Sequence, residues 1–273
     1  MRISIAHSPD ADDYFLFWAL RKNLLDPDGF AFDLVELDTE DLNSASRSGK
    51  YDVCAVSTAA YSDLADRYHV LSSGASVGRN FGPTLVSASE LAVSELAHAR
   101  IGIPGRTTTA AAVLRQLVPS ATTVEIPLTP YEAVFDAIKE RRVDAAVLIH
   151  EGQIAFRERQ LFLVTDLGRW WHDRTGLPLP LGINVIRKAL GDSVVSRLAR
   201  LFRRSVEFAL AHQSELLPEL FEMTQRSRKK LATPELLDRY LGMYANRDSI
   251  ALDSDCKRAI ELLCPAAKPS FTE

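Results

Sequence analysis

At 273 residues, with 47% hydrophobic and 25% charged side chains, the chain has the make-up of a globular protein of one large or two modest domains. Its formal net charge of -4 comes from Lys and Arg scattered among Asp and Glu, which leaves no basic stripe for a nucleic-acid backbone. The opening residues lack a leader-like apolar segment, no apolar run nears the roughly 18 residues of a membrane span, and Cys54, Cys256 and Cys264 are spaced as reduced thiols, so a cytoplasmic protein with no membrane or nucleic-acid partner is expected.

Along the first stretch, the β-rich runs 3–6, 31–37, 53–56 and 85–86 alternate with helical periodicity over 11–25 and 42–49, the pattern of βαβ units on a parallel sheet. A second alternating block follows, with strands at 100–103, 122–126, 143–149 and 162–166 and helices at 107–117, 130–140 and 151–157. One more strand, 183–187, precedes an entirely helical remainder at 192–212, 216–230, 234–246 and 254–263. Gly82-Pro83 and the Pro- and Gly-rich stretch 176–182 mark two places where the chain crosses between lobes. Two crossings predict a discontinuous larger α/β domain, 1–86 plus 183–273, with a smaller α/β domain, 87–182, inserted.

Ligands of open α/β sheets bind beyond the carboxyl ends of strands. Polar residues stand at four such points: Ser8 to Asp13, Ser57-Thr58, Arg106 to Thr109, and His150-Glu151. Gly102 to Ala110 reads as strand, tight turn and helix start, a setting in which backbone N–H groups and the hydroxyls of Thr107, Thr108 and Thr109 suit a carboxylate, or in which Thr107 or Thr108 merely caps its helix. Ser8 and Ser57 carry the same two readings. His150 closes the apolar run 143–149, where an imidazole is suited to general-base chemistry or is a structural strand-end histidine. Asp10, Asp12 and Asp13 either cap the helix that starts near Ala11 or begin a metal site whose remaining ligands are not visible. Arg79, in a glycine-rich stretch that is not a phosphate loop, either pairs with an anionic ligand or is a surface residue, and Trp170-Trp171 reads as packing.

Several segments together resemble the family of 1,4-dihydroxy-6-naphthoate synthases of the futalosine route to menaquinone. They are the Ser8-Pro9 turn, Gly78-Arg79-Asn80-Phe81-Gly82-Pro83, Pro104 to Ala110, Leu148-Ile149-His150-Glu151, and Asp166-Leu167-Gly168-Arg169-Trp170-Trp171 continuing from Arg174 to Gly182. The resemblance covers nearly the whole chain. It implies a two-lobed periplasmic-binding-protein-like type II fold with two hinge crossovers and a helical C-terminal region. It also implies conversion of cyclic de-hypoxanthine futalosine to 1,4-dihydroxy-6-naphthoate, a carbon-carbon lyase reaction with His150 as base and no metal or other cofactor. The residues it implies around a small carboxylated substrate are Ser8, Asp10, Asp13, Ser57, Arg79, Asn80, Thr107, Thr108, Thr109, Ala110 and Glu151. A monomer or homodimer would serve.

The family turn commonly reads Ser-Pro-Cys-Pro-Asn-Asp, whereas this chain has Ser8-Pro9-Asp10-Ala11-Asp12-Asp13, which adds carboxylate to a cleft meant for an anion. Two rivals stand beside the synthase: a chorismate dehydratase of the same pathway, and a non-catalytic cytosolic protein that binds small anions.

Overall fold

The computed structural model describes residues 1–128, 131–226 and 233–272, so the expected helix start at Pro130 and helix end at Lys230 lie outside the described residues. In chain order the strands are β1 (Arg2–His7), β2 (Ala31–Glu36), β3 (Val53–Ser57), β4 (Tyr68–Val70), β5 (Ser76–Gly78), β6 (Thr84–Ser87), β7 (Arg100–Ile103), β8 (Thr122–Glu125), β9 (Ala145–Leu148), β10 (Phe162–Asp166) and β11 (Leu179–Arg187). They form two sheets. The first runs β2-β1-β3-β11-β4, with β5 also paired to β11, and the second runs β10-β6-β9-β7-β8.

Both sheets are mixed, which corrects the expected parallel sheet. β1, β2 and β3 pair in parallel, as do β7, β8 and β9. β11 runs antiparallel to β3, and β6 antiparallel to β9 and β10. The reason lies in the crossings. A strand that enters a lobe from the other one starts at the cleft and runs away from it, opposite to strands that end at the cleft. Thr84 of β6 accordingly faces Leu148 at the end of β9, and Gly182 of β11 faces Ser57 at the end of β3.

The same pairings move the expected lobe boundaries. Leu85-Val86 belongs to the second sheet instead of the first, and the first sheet resumes at Leu179, so the crossings fall near residues 79–83 and 176–178. The first crossing fits tightly against helix Leu167–Thr175: a Cβ on Gly168 would sit 2.0 Å from the Phe81 carbonyl oxygen, and one on Gly82 would sit 2.9 Å from Gly168 Cα. Leu167 N–H donates to the Pro83 carbonyl at 2.8 Å. Leu179 of β11 pairs with Gly78 of β5, so the two connections run side by side.

Helix Leu167–Thr175 holds the tryptophan pair and was not expected from the sequence. Asp166 caps it, accepting from the N–H groups of Gly168 and Arg169, and Gly176 ends it at φ 69. Trp171 is fully buried and donates its indole N–H to the Pro178 carbonyl at 3.0 Å, which ties the helix to the second crossing. The helix expected over 11–25 is broken at Phe17 and ends at Arg21, with Asn23 at φ 55 turning the chain away.

Helix Asp192–Ala211 lays Val195, Leu198, Leu201 and Phe202, spaced three and four apart, among Ile3, Ile5, Val53 and Ile186 of the first sheet. Each such buried side chain contributes about 1.5–3 kcal/mol relative to exposure. A second helical layer joins Phe15 and Trp18 to Leu237, Tyr240 and Tyr244, which brings helix Pro234–Tyr244 over the cleft. Among the described residues no helix is long and apolar enough to cross a membrane.

Candidate active site

The cleft ends of β1, β3, β7 and β9 converge on a cavity of about 720 Å³, open mouth included, lined among others by Ser8, Asp12, Asp13, Ser57, Thr109 and His150.

The turn after β1 is held by hydrogen bonds from its own residues and from two other elements. Ser8 N–H donates to Asp13 Oδ2 at 2.8 Å and Asp10 N–H to Ser8 Oγ at 3.3 Å. Asp12 accepts from Ser76 Oγ at 2.8 Å and from the Tyr240 hydroxyl at 3.1 Å. Burial pushes the Asp13 carboxyl up to about 7, helped by the charge of Asp12 and opposed by the bonds from Ser8. Asp12 is also raised, again by burial first, with the His150 charge opposing. The acidic turn therefore carries less negative charge near neutrality than its three carboxyls would have in water.

Asp10 occupies the N-cap position of helix Ala11–Leu16, yet its side chain makes no cap bond. It reaches across the cleft instead. Asp10 Oδ2 lies 3.0 Å from His150 Nδ1, with the Asp10 side chain fully buried. Beside that contact, Ala11 N–H donates to Glu151 Oε1 at 3.2 Å. His150 has φ 51, a left-handed backbone in which histidine is over-represented among non-glycine residues, and this turns the imidazole from the end of β9 into the cleft. Its Nε2 lies 3.2 Å from Thr39 Oγ1.

On the β7 side, Thr108 is the N-cap of helix Thr109–Leu117: its hydroxyl accepts from Ala111 N–H at 3.2 Å and donates to the Gly105 carbonyl at 2.8 Å. The capping alternative thus holds for Thr108. Thr107 Oγ1 accepts from Asn43 Nδ2 at 3.0 Å, and Thr109 Oγ1 donates to the Leu181 carbonyl at 2.7 Å while accepting from Ala59 N–H at 3.2 Å. These threonines fasten the lobes together in this closed arrangement. Ser57 is gripped by Asn43, which donates to its hydroxyl at 3.1 Å and accepts from its N–H at 2.8 Å. Thr108, Thr109 and Ala110 line the cavity, so the first turn of the helix, whose N–H groups have no intrahelical partners, opens on it.

Arg79 and Asn80 lie away from the cavity, which corrects their expected place beside the substrate. Arg79 is bound to Asp248 at 2.7 Å through both Nε and Nη2 and to Asp253 at 2.6 Å, and Asn80 is an exposed turn residue at φ 63. Asp248, Asp253 and Cys256 come close enough together to ligate a cation, but the Arg79 guanidinium fills that role.

A family described as menaquinone biosynthesis matches residues 3–269. The chain belongs to this family. Its relatives include 1,4-dihydroxy-6-naphthoate synthases of Thermus thermophilus, 32% identical over 97% of this chain and 94% of that one, and of Streptomyces coelicolor, 30% identical over 97% and 92%. A crystal structure of an Archaeoglobus fulgidus protein is 35% identical, with a TM-score of 0.89 over 97% of this chain and 96% of that one. The alkanesulfonate-binding protein of Xanthomonas axonopodis pv. citri shares only 14% identity but has a TM-score of 0.70 over 98% of both chains. The menaquinone-family chain thus has the periplasmic-binding-protein-like fold, with its helical C-terminal region.

That C-terminal region supplies residues the sequence reading passed over. Tyr240 and Tyr244, four apart on one helix face, line the cavity with Gln153, Thr39, Ser76 and Asn184. Burial raises both phenols well above their ordinary range, which keeps them hydrogen-bond donors. The i,i+4 spacing of the tyrosines is a signal readable in the sequence; Thr39 and Asn184 leave none. Asn184, in β11, donates from Nδ2 to the Gly74 carbonyl at 2.8 Å.

Proposed function

We propose that this chain carries out the menaquinone-pathway step for which its relatives are named, releasing 1,4-dihydroxy-6-naphthoate from cyclic de-hypoxanthine futalosine in the cytoplasm as a carbon-carbon lyase. The observation that carries the reading is His150, an imidazole at the cavity wall with Nδ1 against Asp10 and Nε2 beside the Thr39 hydroxyl.

In this reading, His150 Nε2 takes a proton from the sugar-derived part of the substrate. The electron pair left behind drives bond cleavage and elimination, and aromatisation of the product makes the step irreversible. The chemistry is redox-neutral and needs only a proton acceptor and a shaped, dry site. The substrate carboxylate sits against Ser57 and the first turn of helix Thr109–Leu117, where a helix N-terminus favours negative charge. Asp13, raised to about 7, lowers the repulsion that an acidic turn would otherwise impose. Contacts between the lobes through Thr107, Thr109 and Gln153 describe the closed state in which water is excluded.

The test is direct. Purified protein given cyclic de-hypoxanthine futalosine should release the naphthoate, and His150→Ala should bind substrate yet lose most turnover. Tight binding of the substrate by the intact protein without product would replace the enzyme reading with that of a binding protein.

A further inference from the structure

We propose that Asp10 is the positioning residue of His150, supplied from the opposite lobe, so that closing the cleft is what orients the base. The inference rests on the reading of His150 as the proton acceptor.

Three observations carry it. Asp10 stands at a helix N-cap, where an aspartate ordinarily binds the backbone of the first turn, and it makes no such bond. Its carboxylate is fully buried, and its Oδ2 is 3.0 Å from His150 Nδ1. The pair is also framed: the next residues along, Ala11 and Glu151, bond to each other across the same gap at 3.2 Å. Asp10 follows β1 of the first sheet and His150 follows β9 of the second, so both contacts exist only with the lobes together.

The chemical consequence concerns which ring nitrogen holds a proton. The negative charge of a carboxylate 3.0 Å from Nδ1 favours the proton on that nitrogen, which leaves the lone pair on Nε2. When the substrate's bond to hydrogen breaks, that proton moves to Nε2, the electron pair stays with the substrate, and the imidazolium formed is stabilised by Asp10, which takes no proton itself. In an open cleft the ring loses this partner, so the base is poised only when the substrate is enclosed. Other titratable groups near the pair include Asp12, whose carboxyl feels the His150 charge, Glu151, the next residue in the chain, and the buried Tyr131 and Tyr240, whose phenols feel the charges of Asp10 and Glu151.

Steady-state kinetics across pH on wild type, Asp10→Asn, Asp10→Ala, His150→Ala and the Asp10→Asn/His150→Ala double variant test this. Asp10→Asn preserves shape and should lower kcat roughly 10²- to 10⁴-fold with KM nearly unchanged. The acid limb of its kcat profile should move to lower pH, since a neighbouring carboxylate favours the charged imidazole. The double variant should be no slower than His150→Ala alone, because the two act as one unit. Asp10→Asn with wild-type kcat and pH profile, beside an inactive His150→Ala, would overturn the positioning role while leaving the base intact; an active His150→Ala would instead remove the base reading. A change confined to KM also overturns it. Should the Asp10 variants fail to fold, ¹⁵N NMR of His150 in the ligand-bound wild type decides: protonated Nδ1 supports the inference and protonated Nε2 ends it.

Discussion

Tyr244 donates its hydroxyl hydrogen to Gln153 Oε1 at 2.8 Å, joining the C-terminal helical layer to the short helix that follows His150. Four residues earlier on the same helix, Tyr240 reaches Asp12 in the turn after β1. One helix face therefore touches both halves of the cleft. Tyr244→Phe removes a closing contact without removing the ring. A neutral hydrogen bond of this kind is worth about 0.5–1.5 kcal/mol, so KM should rise roughly 2- to 10-fold with a smaller change in kcat. Steady-state kinetics checks it.

Asp13 makes stability depend on pH in an unusual direction. Its carboxyl is raised from 3.8 to about 7, so the folded protein holds that proton more tightly than the unfolded chain does. Its contribution is present below about 4 and is lost as pH climbs to about 7. Asp13→Asn, which can still accept from Ser8 N–H, should therefore melt higher than wild type at pH 8, with the gain fading on acidification toward pH 4. His7 works in the opposite sense: burial holds it at about 4, below its ordinary 6.5, so its contribution grows as pH rises through that window. Melting curves of Asp13→Asn and wild type across pH separate the two.

Arg79 is a staple between the segment after β5 and the residues around Asp248 and Asp253. Removing it leaves the buried Asp248 carboxylate without its guanidinium partner. Arg79→Ala should lower stability by about 1–3 kcal/mol, read by denaturant unfolding, while KM stays within about twofold of wild type. A large rise in KM would restore the expectation that Arg79 contacts substrate.

Gly168 is the tightest point beside the first crossing, with space for a hydrogen only. Gly168→Ala should cost about 1–3 kcal/mol or more, since a methyl group there meets backbone that cannot swing aside. Gly176→Ala is the comparison: no atom lies within 4 Å of its Cβ, and its cost comes only from φ 69, about 1–2 kcal/mol. Thermal unfolding of both variants ranks the two effects.

The lobes were legible in the sequence because alternating apolar runs announce βαβ units, and Gly82-Pro83 and the 176–182 stretch do break that rhythm. Strand direction was not: a period of two reads the same from either end, so the run 85–86 was expected within a parallel sheet, and nothing marked the antiparallel course of β11. The helix around Trp171 was obscured by its charged face, where Arg169, His172, Asp173 and Arg174 hide the buried side. His150 could be singled out because an apolar strand ends at it. Its partner could not, since a contact between turns in different lobes leaves no local periodicity, and an aspartate before a helix looks like any other cap. Arg79 misled for the opposite reason: glycine-rich loops with an arginine suit anions, and here the anions are Asp248 and Asp253.

The side-by-side run of Leu179 with Gly78 makes the link between lobes a two-leaf hinge with a single shared pin. A ribbon of two bonded strands folds readily about its width and resists shear along its length. Opening the cleft about that ribbon draws the turn after β1 away from the turn after β9, and with it separates the Asp10 and Glu151 contacts. With His150 as the proposed base, cleft opening and loss of its carboxylate partner become one event.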